Sequence, residues 1–244
     1  MELTGKVAVV TGGAVRIGRA IALALAQAGC HLLLHYGHSV EAAQATQAEA
    51  QAMGVIVVTH QADLLDAAAT QTIIPAALHQ FDRADILINS AAIFPEGDHF
   101  ATLTLTEWQK VMAINLQAPF LLSQAFANQI QPGQTGKIIN INDARIPRPA
   151  PDHFAYRLAK GGLWQMTTIL AQALAPHITV NAVALGAILP PPGLGDAYLE
   201  DIARRRVPLR RAGNPQIVAD NVLHLLQQDF LTGVTLTLDG GEFL

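Results

Sequence analysis

Short apolar runs alternate with longer Ala-rich stretches along almost the whole chain. The runs, at residues 6–11, 31–36, 55–60, 86–89, 137–142, 179–184 and 234–238, have strand length and are dominated by Val, Ile and Leu. Between them, residues 16–28, 40–53, 67–80, 106–130, 154–174 and 215–228 carry helical patterns. Strands that alternate with helices predict right-handed crossovers, hence an α/β fold with a doubly wound, parallel, seven-stranded sheet and helices on both faces. Two proline-rich loops, at residues 146–151 and 189–195, follow strands and should lie near the carboxyl ends of the sheet, where ligands bind in such folds. Ordinary chain reversal explains each of them equally well.

Composition narrows the picture. The chain has 244 residues, 51% hydrophobic and 14% charged, which suits one domain (residues 1–244) around a sheet buried on both sides. The net charge of −4 supplies no basic field for nucleic acid or an anionic membrane, so neither is expected as a partner. Cys30 is the sole cysteine and forms no internal disulfide, which favours a reducing compartment. The first residues run directly into a strand pattern without a leader-like apolar stretch, and no apolar run reaches membrane-spanning length. A soluble, cytoplasmic protein is expected. The nine histidines show no metal-ligand spacing with cysteine, and no metal is expected.

Candidate chemistry begins at the first turn, Thr11-Gly12-Gly13-Ala14-Val15-Arg16-Ile17-Gly18. Gly12 permits a tight turn, Gly18 permits close helix-on-strand packing, and the helix N-terminus offers free N–H groups to a pyrophosphate. A glycine-rich turn after a first strand and before an amphipathic helix points to a dinucleotide and a Rossmann-type fold. An NAD site would place a carboxylate at the end of the second strand. Here the segment is His35-Tyr36-Gly37-His38-Ser39, with no acid before Glu41. His38, Ser39 and the following helix start suit a 2′-phosphate, so NADPH is the expected cofactor. Further on, Tyr156 and Lys160 are four residues apart, which puts phenol and ammonium on one helix face. The ammonium is expected to bring the phenol, normally near pKa 10, towards working range.

In order and spacing these motifs resemble the short-chain dehydrogenase/reductase family over essentially the whole chain, and within it the pteridine reductases. Two departures from the common family pattern carry the likeness. Arg16 stands where the middle glycine of the nucleotide turn belongs, and Asp143 stands 13 residues before Tyr156, where a serine is usual. No Ser or Thr lies between Thr135 and Thr167 to replace it. A serine hydroxyl donates to a ketone oxygen; a carboxylate repels that oxygen's developing charge and accepts from N–H groups. The resemblance therefore implies reduction of a dihydropterin-type substrate (dihydrobiopterin, dihydromonapterin or dihydrofolate). Tyr156 would act as the acid, Lys160 as its support, Asp143 as a binder of ring nitrogens, and Arg16 and Phe94 would hold the ring. Asn115 matches the helix asparagine that helps hold the lysine through a water. Asp63 matches the adenine-binding position, although it serves equally as a helix N-cap. Ile17, Leu64, Asn89, Ser90, Ala91, Gly186 and Ile188 fall on other cofactor positions of the family, while the Thr that usually contacts the carboxamide is missing from residues 187–190. Residues 194–206 correspond to a mobile lid. Arg204, Arg205, Arg206, Arg210 and Arg211 beside it read as a solvated charge run or as a site for an acidic tail such as that of a folate. A homotetramer follows by analogy. A ketone reductase, such as one acting on 3-oxoacyl thioesters, and an inactive dinucleotide-binding relative remain the alternatives.

Overall fold

A computed structural model describes residues 1–96, 98–191 and 193–244. Among them, seven strands form one parallel sheet: β1 (Val7–Val10), β2 (His31–Tyr36), β3 (Val57–Gln61), β4 (Ile86–Asn89), β5 (Gly136–Asp143), β6 (Ile178–Leu185) and β7 (Thr235–Leu238). Their order across the sheet is β3-β2-β1-β4-β5-β6-β7. The chain winds outward in both directions from the β1–β4 pair, which leaves a crevice at the carboxyl ends of those two strands. The expected architecture is present.

The alternating pleat sorts the apolar runs onto two faces. Ala8, Val10, Leu32, Leu34, Ile86, Ile88, Ile139 and Ile141 pack on one side with α1 (Arg16–Gln27) and the later helix at Pro215–Gln227. Val9, Leu33, Leu87 and Ile138 pack on the other with helices that follow β3, β4 and β5. Each such side chain, fully buried, stabilises the fold by about 1.5–3 kcal/mol, which is why continuous apolarity marked the strands so clearly. Gly18 lets α1 start directly against the turn, because a Cβ there would collide with the carbonyl of Gly12.

The remaining helices are α2 (Val40–Gln51), α3 (Ala67–Gln71), α4 (Ile73–Phe81), α5 (Leu105–Met112), α6 (Ala118–Gln129), α7 (Phe154–Leu174), α8 (Asp196–Arg206) and α9 (Pro215–Gln227). Two of the expected helices are interrupted, each near a proline. The stretch 67–80 divides at Thr72, where Pro75 offers no N–H to the carbonyl four residues earlier. The stretch 106–130 contains a π-helical turn at Ala113–Gln117, and Pro119 removes the N–H that would have bonded the carbonyl of Asn115. Residues 194–206, expected as a lid, are largely the helix α8. Pro192, within the second proline-rich loop, lies outside the described residues. No described helix is long and apolar enough to cross a membrane.

Candidate active site

The crevice is a cavity of about 800 Å³ lined by the turn after β1, the ends of β2 and β3, the segments after β4, β5 and β6, and one face each of α7 and α8. At its nucleotide end, Gly12 takes a left-handed backbone (φ 63°), and a Cβ there would lie 3.1 Å from the Cα of Ala91. The Thr11 hydroxyl accepts from the N–H groups of Ser90 and Ala91 at 3.0 and 3.1 Å, so the segment after β4 is clamped to the turn. Arg16 also has a left-handed backbone (φ 53°), which explains why glycine is the common choice at this position. Its guanidinium donates to the carbonyl of Pro190 at 2.7 Å and ties the turn to the loop after β6. Ile17, Gly18, Tyr36, Leu64, Gly186 and Ile188 all line the cavity.

His38 and Ser39 are exposed at the start of α2, whose N-cap Ser39 makes no side-chain capping bond. That helix end is open to an anion, with no carboxylate at the tip of β2 to oppose it. Asp63 faces the cavity and accepts from the N–H of Leu65, while Asp66 caps α3; of the two roles open to Asp63, the helix cap is thus filled by another residue. The residues present fit a phosphorylated dinucleotide.

His35 does something the sequence did not indicate. It is buried within the wall, where its Nδ1 accepts from the N–H of Gly12 at 3.2 Å. The opposite nitrogen, Nε2, lies 3.0 Å from the carbonyl of Ala62, so the proton resides there. The neutral ring braces the phosphate-binding turn against the end of β3, and burial pulls its pKa down to about 4.

At the other end, Asp143 closes β5 and Tyr156 rises from the first turn of α7. The phenol donates to one carboxylate oxygen at 3.1 Å; the other oxygen accepts from the backbone N–H and the Nε–H of Arg145 at 2.9 and 3.0 Å. Lys160, fully enclosed one turn further along α7, donates to the carbonyl of Ile141 at 2.8 Å. Burial lowers its pKa to about 8, while the Asp143 charge opposes the drop. The expected easing of the Tyr156 proton is reversed: burial, then the neighbouring Asp143 carboxylate, push its pKa well above 10. The phenol keeps its proton at neutral pH.

Phe94 stands over this group. Its ring meets Tyr156 edge-on at 4.8 Å, the guanidinium carbon of Arg145 at 5.1 Å and the ring of His153 at 4.1 Å. Arg145 and His153 carry no motif and were not anticipated. Nor was Asp98, a buried residue whose backbone and carboxylate oxygens accept the N–H groups of Phe154, Ala155 and Tyr156, each at 2.9 Å. It ties the segment after Phe94 to the start of α7. Glu242, half-buried near the C-terminus, shares the cavity with Arg145 and Arg206, and burial raises its pKa.

One expected site residue lies elsewhere. Asn89 is not in the cavity wall; its amide points inward and donates to Asn140 at 2.9 Å, because a buried amide must find polar partners. Asn115, expected to reach Lys160 only through a water, turns its side chain to Ile93. It accepts from the N–H of Ile93 at 3.0 Å and donates to the Ile93 carbonyl at 2.9 Å, so it anchors the segment leading to Phe94. Of the five clustered arginines, only Arg206 lines the cavity, through the α8 face shared with Tyr198, Leu199 and Ile202. Arg205 pairs with Asp201 on the outer surface. Among the described residues no His, Cys, Asp and Glu group suited to a metal is present.

A family model described as enoyl-(acyl carrier protein) reductase matches residues 12–242. A 3-oxoacyl-[acyl-carrier-protein] reductase of Synechocystis sp. is 34% identical over 243 residues, 98% of this chain and 97% of the relative. Among solved structures, the FolM alternative dihydrofolate reductase 1 of Brucella canis, complexed with NADP, is 31% identical. It superposes with a TM-score of 0.92 over 99% of this chain and 96% of its own. A short chain dehydrogenase of Burkholderia cenocepacia in complex with NADP has a TM-score of 0.91 at 33% identity, covering all of both chains.

The brace at His35 has a measurable consequence. The unfolded chain takes up a proton at this residue near pH 6.5, whereas the folded protein refuses it until about pH 4. Between those values the unfolded state holds more protons, so stability falls as pH falls, by roughly 3 kcal/mol across the window. Urea unfolding at several pH values is expected to show this loss in the wild type and a flatter dependence in His35→Asn; parallel slopes in the two proteins would contradict it.

Proposed function

The chain belongs to the short-chain dehydrogenase/reductase family, and on that premise we propose that it is an NADPH-dependent reductase of dihydropterin-type substrates. The substrate is dihydrobiopterin, dihydromonapterin or dihydrofolate, taken to its tetrahydro form. One observation carries the proposal: the carboxylate of Asp143 faces the cavity beside Tyr156, where a ketone reductase of this family has a hydroxyl donor. Held between the phenol and the Arg145 guanidinium, it presents acceptor oxygens suited to ring N–H and amino groups. The likeness to a dihydrofolate reductase solved with NADP supports the same assignment.

Gly12, the N-terminus of α1, His38 and Ser39 would hold the phosphates of NADP(H), and Gly186 and Ile188 would contribute to the same cofactor site. When bound, that cofactor supplies the hydride that goes to the carbon of the substrate C=N bond. Tyr156, which its surroundings keep protonated, gives its proton to the nitrogen of the same bond as hydride arrival makes that nitrogen basic. Lys160, on the same helix face and shut away from water, offsets the charge left on the phenol. Asp143 orients the ring through its N–H groups, and Phe94 covers one face of it. The sequence relatives favour a second assignment, reduction of 3-oxoacyl thioesters. In that reaction the developing oxyanion would meet the Asp143 carboxylate, an unfavourable pairing that the heterocycle avoids.

The protein acts in the cytoplasm as a homotetramer. Half-exposed Phe120 on α6 and exposed Leu158 and Ile169 on α7 supply the apolar surface that such an assembly would cover.

NADPH oxidation with dihydrobiopterin, dihydromonapterin, dihydrofolate and a 3-oxoacyl thioester decides between the two assignments: turnover is expected with a pterin or folate, and turnover confined to the thioester would reverse the choice. Tyr156→Phe is expected to lower that turnover at least 100-fold, within the range that general-acid catalysis contributes, with NADPH affinity nearly unchanged. Reductase kcat/KM should fall as pH rises through about 8, where Lys160 loses its charge. Over the interval from about 8 to 10.5 the unfolded chain binds the extra proton at this residue, so stability should rise there while activity falls. A flat pH profile across that interval would remove Lys160 from its assigned role.

A further inference from the structure

The cavity holds a carboxylate near α8 that the assigned reaction does not use, that of Glu242. The turn that carries it is firmly built. Asp239 accepts from the N–H groups of Gly241 and Phe243, each at 2.9 Å, and Gly240 and Gly241 take left-handed backbones at φ 61° and 88°. This turn closes over the end of β6 because residue 186 is a glycine. A Cβ there would lie 2.6 Å from the Cβ of Asp239 and 3.2 Å from Oε2 of Glu242. Glu242 is half-buried, and burial raises its pKa. The backbone N–H of Ala187 is the one group among the described residues that hydrogen-bonds it. A carboxylate offers two oxygens and roughly four acceptor sites, so most of this capacity is left for the cavity. Burial without matching donors is unfavourable, and a ligand can supply them.

Sheet register fixes where the carboxylate stands. Asp143 lies opposite Leu185 across the β5–β6 pair, and Gly186 is the next residue outward. Glu242 therefore sits one strand over from Asp143 and further towards α8, whose Arg206 lines the same space. A flat ring held by Asp143 beneath Phe94 would direct a substituent to this place. In a dihydropterin that substituent is carried by the carbon of the reducible C=N bond, so it leaves the ring close to Tyr156.

The chemistry of the substituent follows from what a half-dry carboxylate accepts. Hydroxyls on adjacent carbons present two O–H donors, one for each oxygen. A benzoyl-glutamate tail presents an apolar ring and further carboxylates, which Glu242 would repel. The nearby guanidiniums do not reverse that preference. Arg145 is paired with Asp143, and the Arg206 charge is already balanced in part by Glu242 itself. Resting on the dihydropterin-reductase assignment, we propose that Glu242 is a substrate-binding residue that selects dihydropterins bearing a polyhydroxylated side chain, its carboxylate accepting from the hydroxyls. Dihydrobiopterin and dihydromonapterin carry such a side chain; dihydrofolate does not.

Titration calorimetry with the NADP⁺-loaded protein tests this. The ligands are 7,8-dihydrobiopterin, 6-methyl-7,8-dihydropterin, which keeps the ring and lacks the hydroxyls, and dihydrofolate. The wild type is expected to bind dihydrobiopterin at least about tenfold more tightly than the methyl compound, the size of a hydrogen bond to a charged group. Glu242→Gln keeps the shape and removes the charge. It should bring the two within about threefold, with affinity for NADP⁺ and for the methyl compound unchanged. A wild type that does not distinguish the two, a Glu242→Gln protein that keeps the wild-type ratio, or tighter binding of dihydrofolate than of dihydrobiopterin overturns the proposal. None of these ratios needs turnover. A wild type that shows them without oxidising NADPH would overturn the reaction and leave the selection standing, and turnover of dihydropterins without them would do the reverse.

Discussion

The carboxylate of Asp143 organises the site. One oxygen accepts a hydrogen bond from the Tyr156 phenol and the other accepts two from N–H groups of Arg145, so a single side chain sets both the orientation of the phenol and the placement of the nearest cation. Its negative charge also raises the proton affinity of a phenol that burial has already made hard to ionise. A serine in this place would impose neither constraint. With the carboxylate present, the site offers acceptor oxygens beside the phenol in place of a hydroxyl donor.

The geometry needed for that pairing depends on holding α7 at a fixed height against β5. Helix starts leave unpaired N–H groups, and a buried start without partners would be free to shift or fray. Asp98 satisfies three of them from a segment that also carries Phe94, and Asn115 grips the same segment at Ile93. The segment that carries Phe94 and the helix that carries Tyr156 are therefore one connected unit. The π-helical turn at Ala113–Gln117 belongs to the same arrangement, since the wide turn brings the Asn115 amide to the Ile93 backbone.

The nucleotide end shows a comparable exchange of local strain for contact. Arg16 adopts a backbone that suits glycine, and its guanidinium reaches the Pro190 carbonyl in a loop that lacks a hydroxyl residue. Two departures from the common family pattern, the arginine in the turn and the missing hydroxyl after β6, thus meet in one hydrogen bond. His35 bridges Gly12 and Ala62 in the neutral form and keeps the turn closed from behind.

The amino-acid sequence alone determined the sheet, because strands buried on both faces must be continuously apolar and the crossovers must be helical. It also determined the chemical set Asp143, Tyr156 and Lys160, which lies at fixed spacings along the chain, and the nucleotide turn, whose glycines are demanded by local backbone geometry. Only the tertiary structure decided what surrounds them. Asp98, Arg145, His153 and Glu242 enter the site through contacts between distant segments, and nothing in their neighbouring residues signals it. The direction of the Tyr156 shift was likewise beyond reach, since it depends on which charge lies nearer in space and on how completely the phenol is buried. Asn89 matched a family position, yet its amide turned to the partner that folding placed beside it. Local sequence sets backbone conformation; burial and hydrogen-bond partners are properties of the assembled whole.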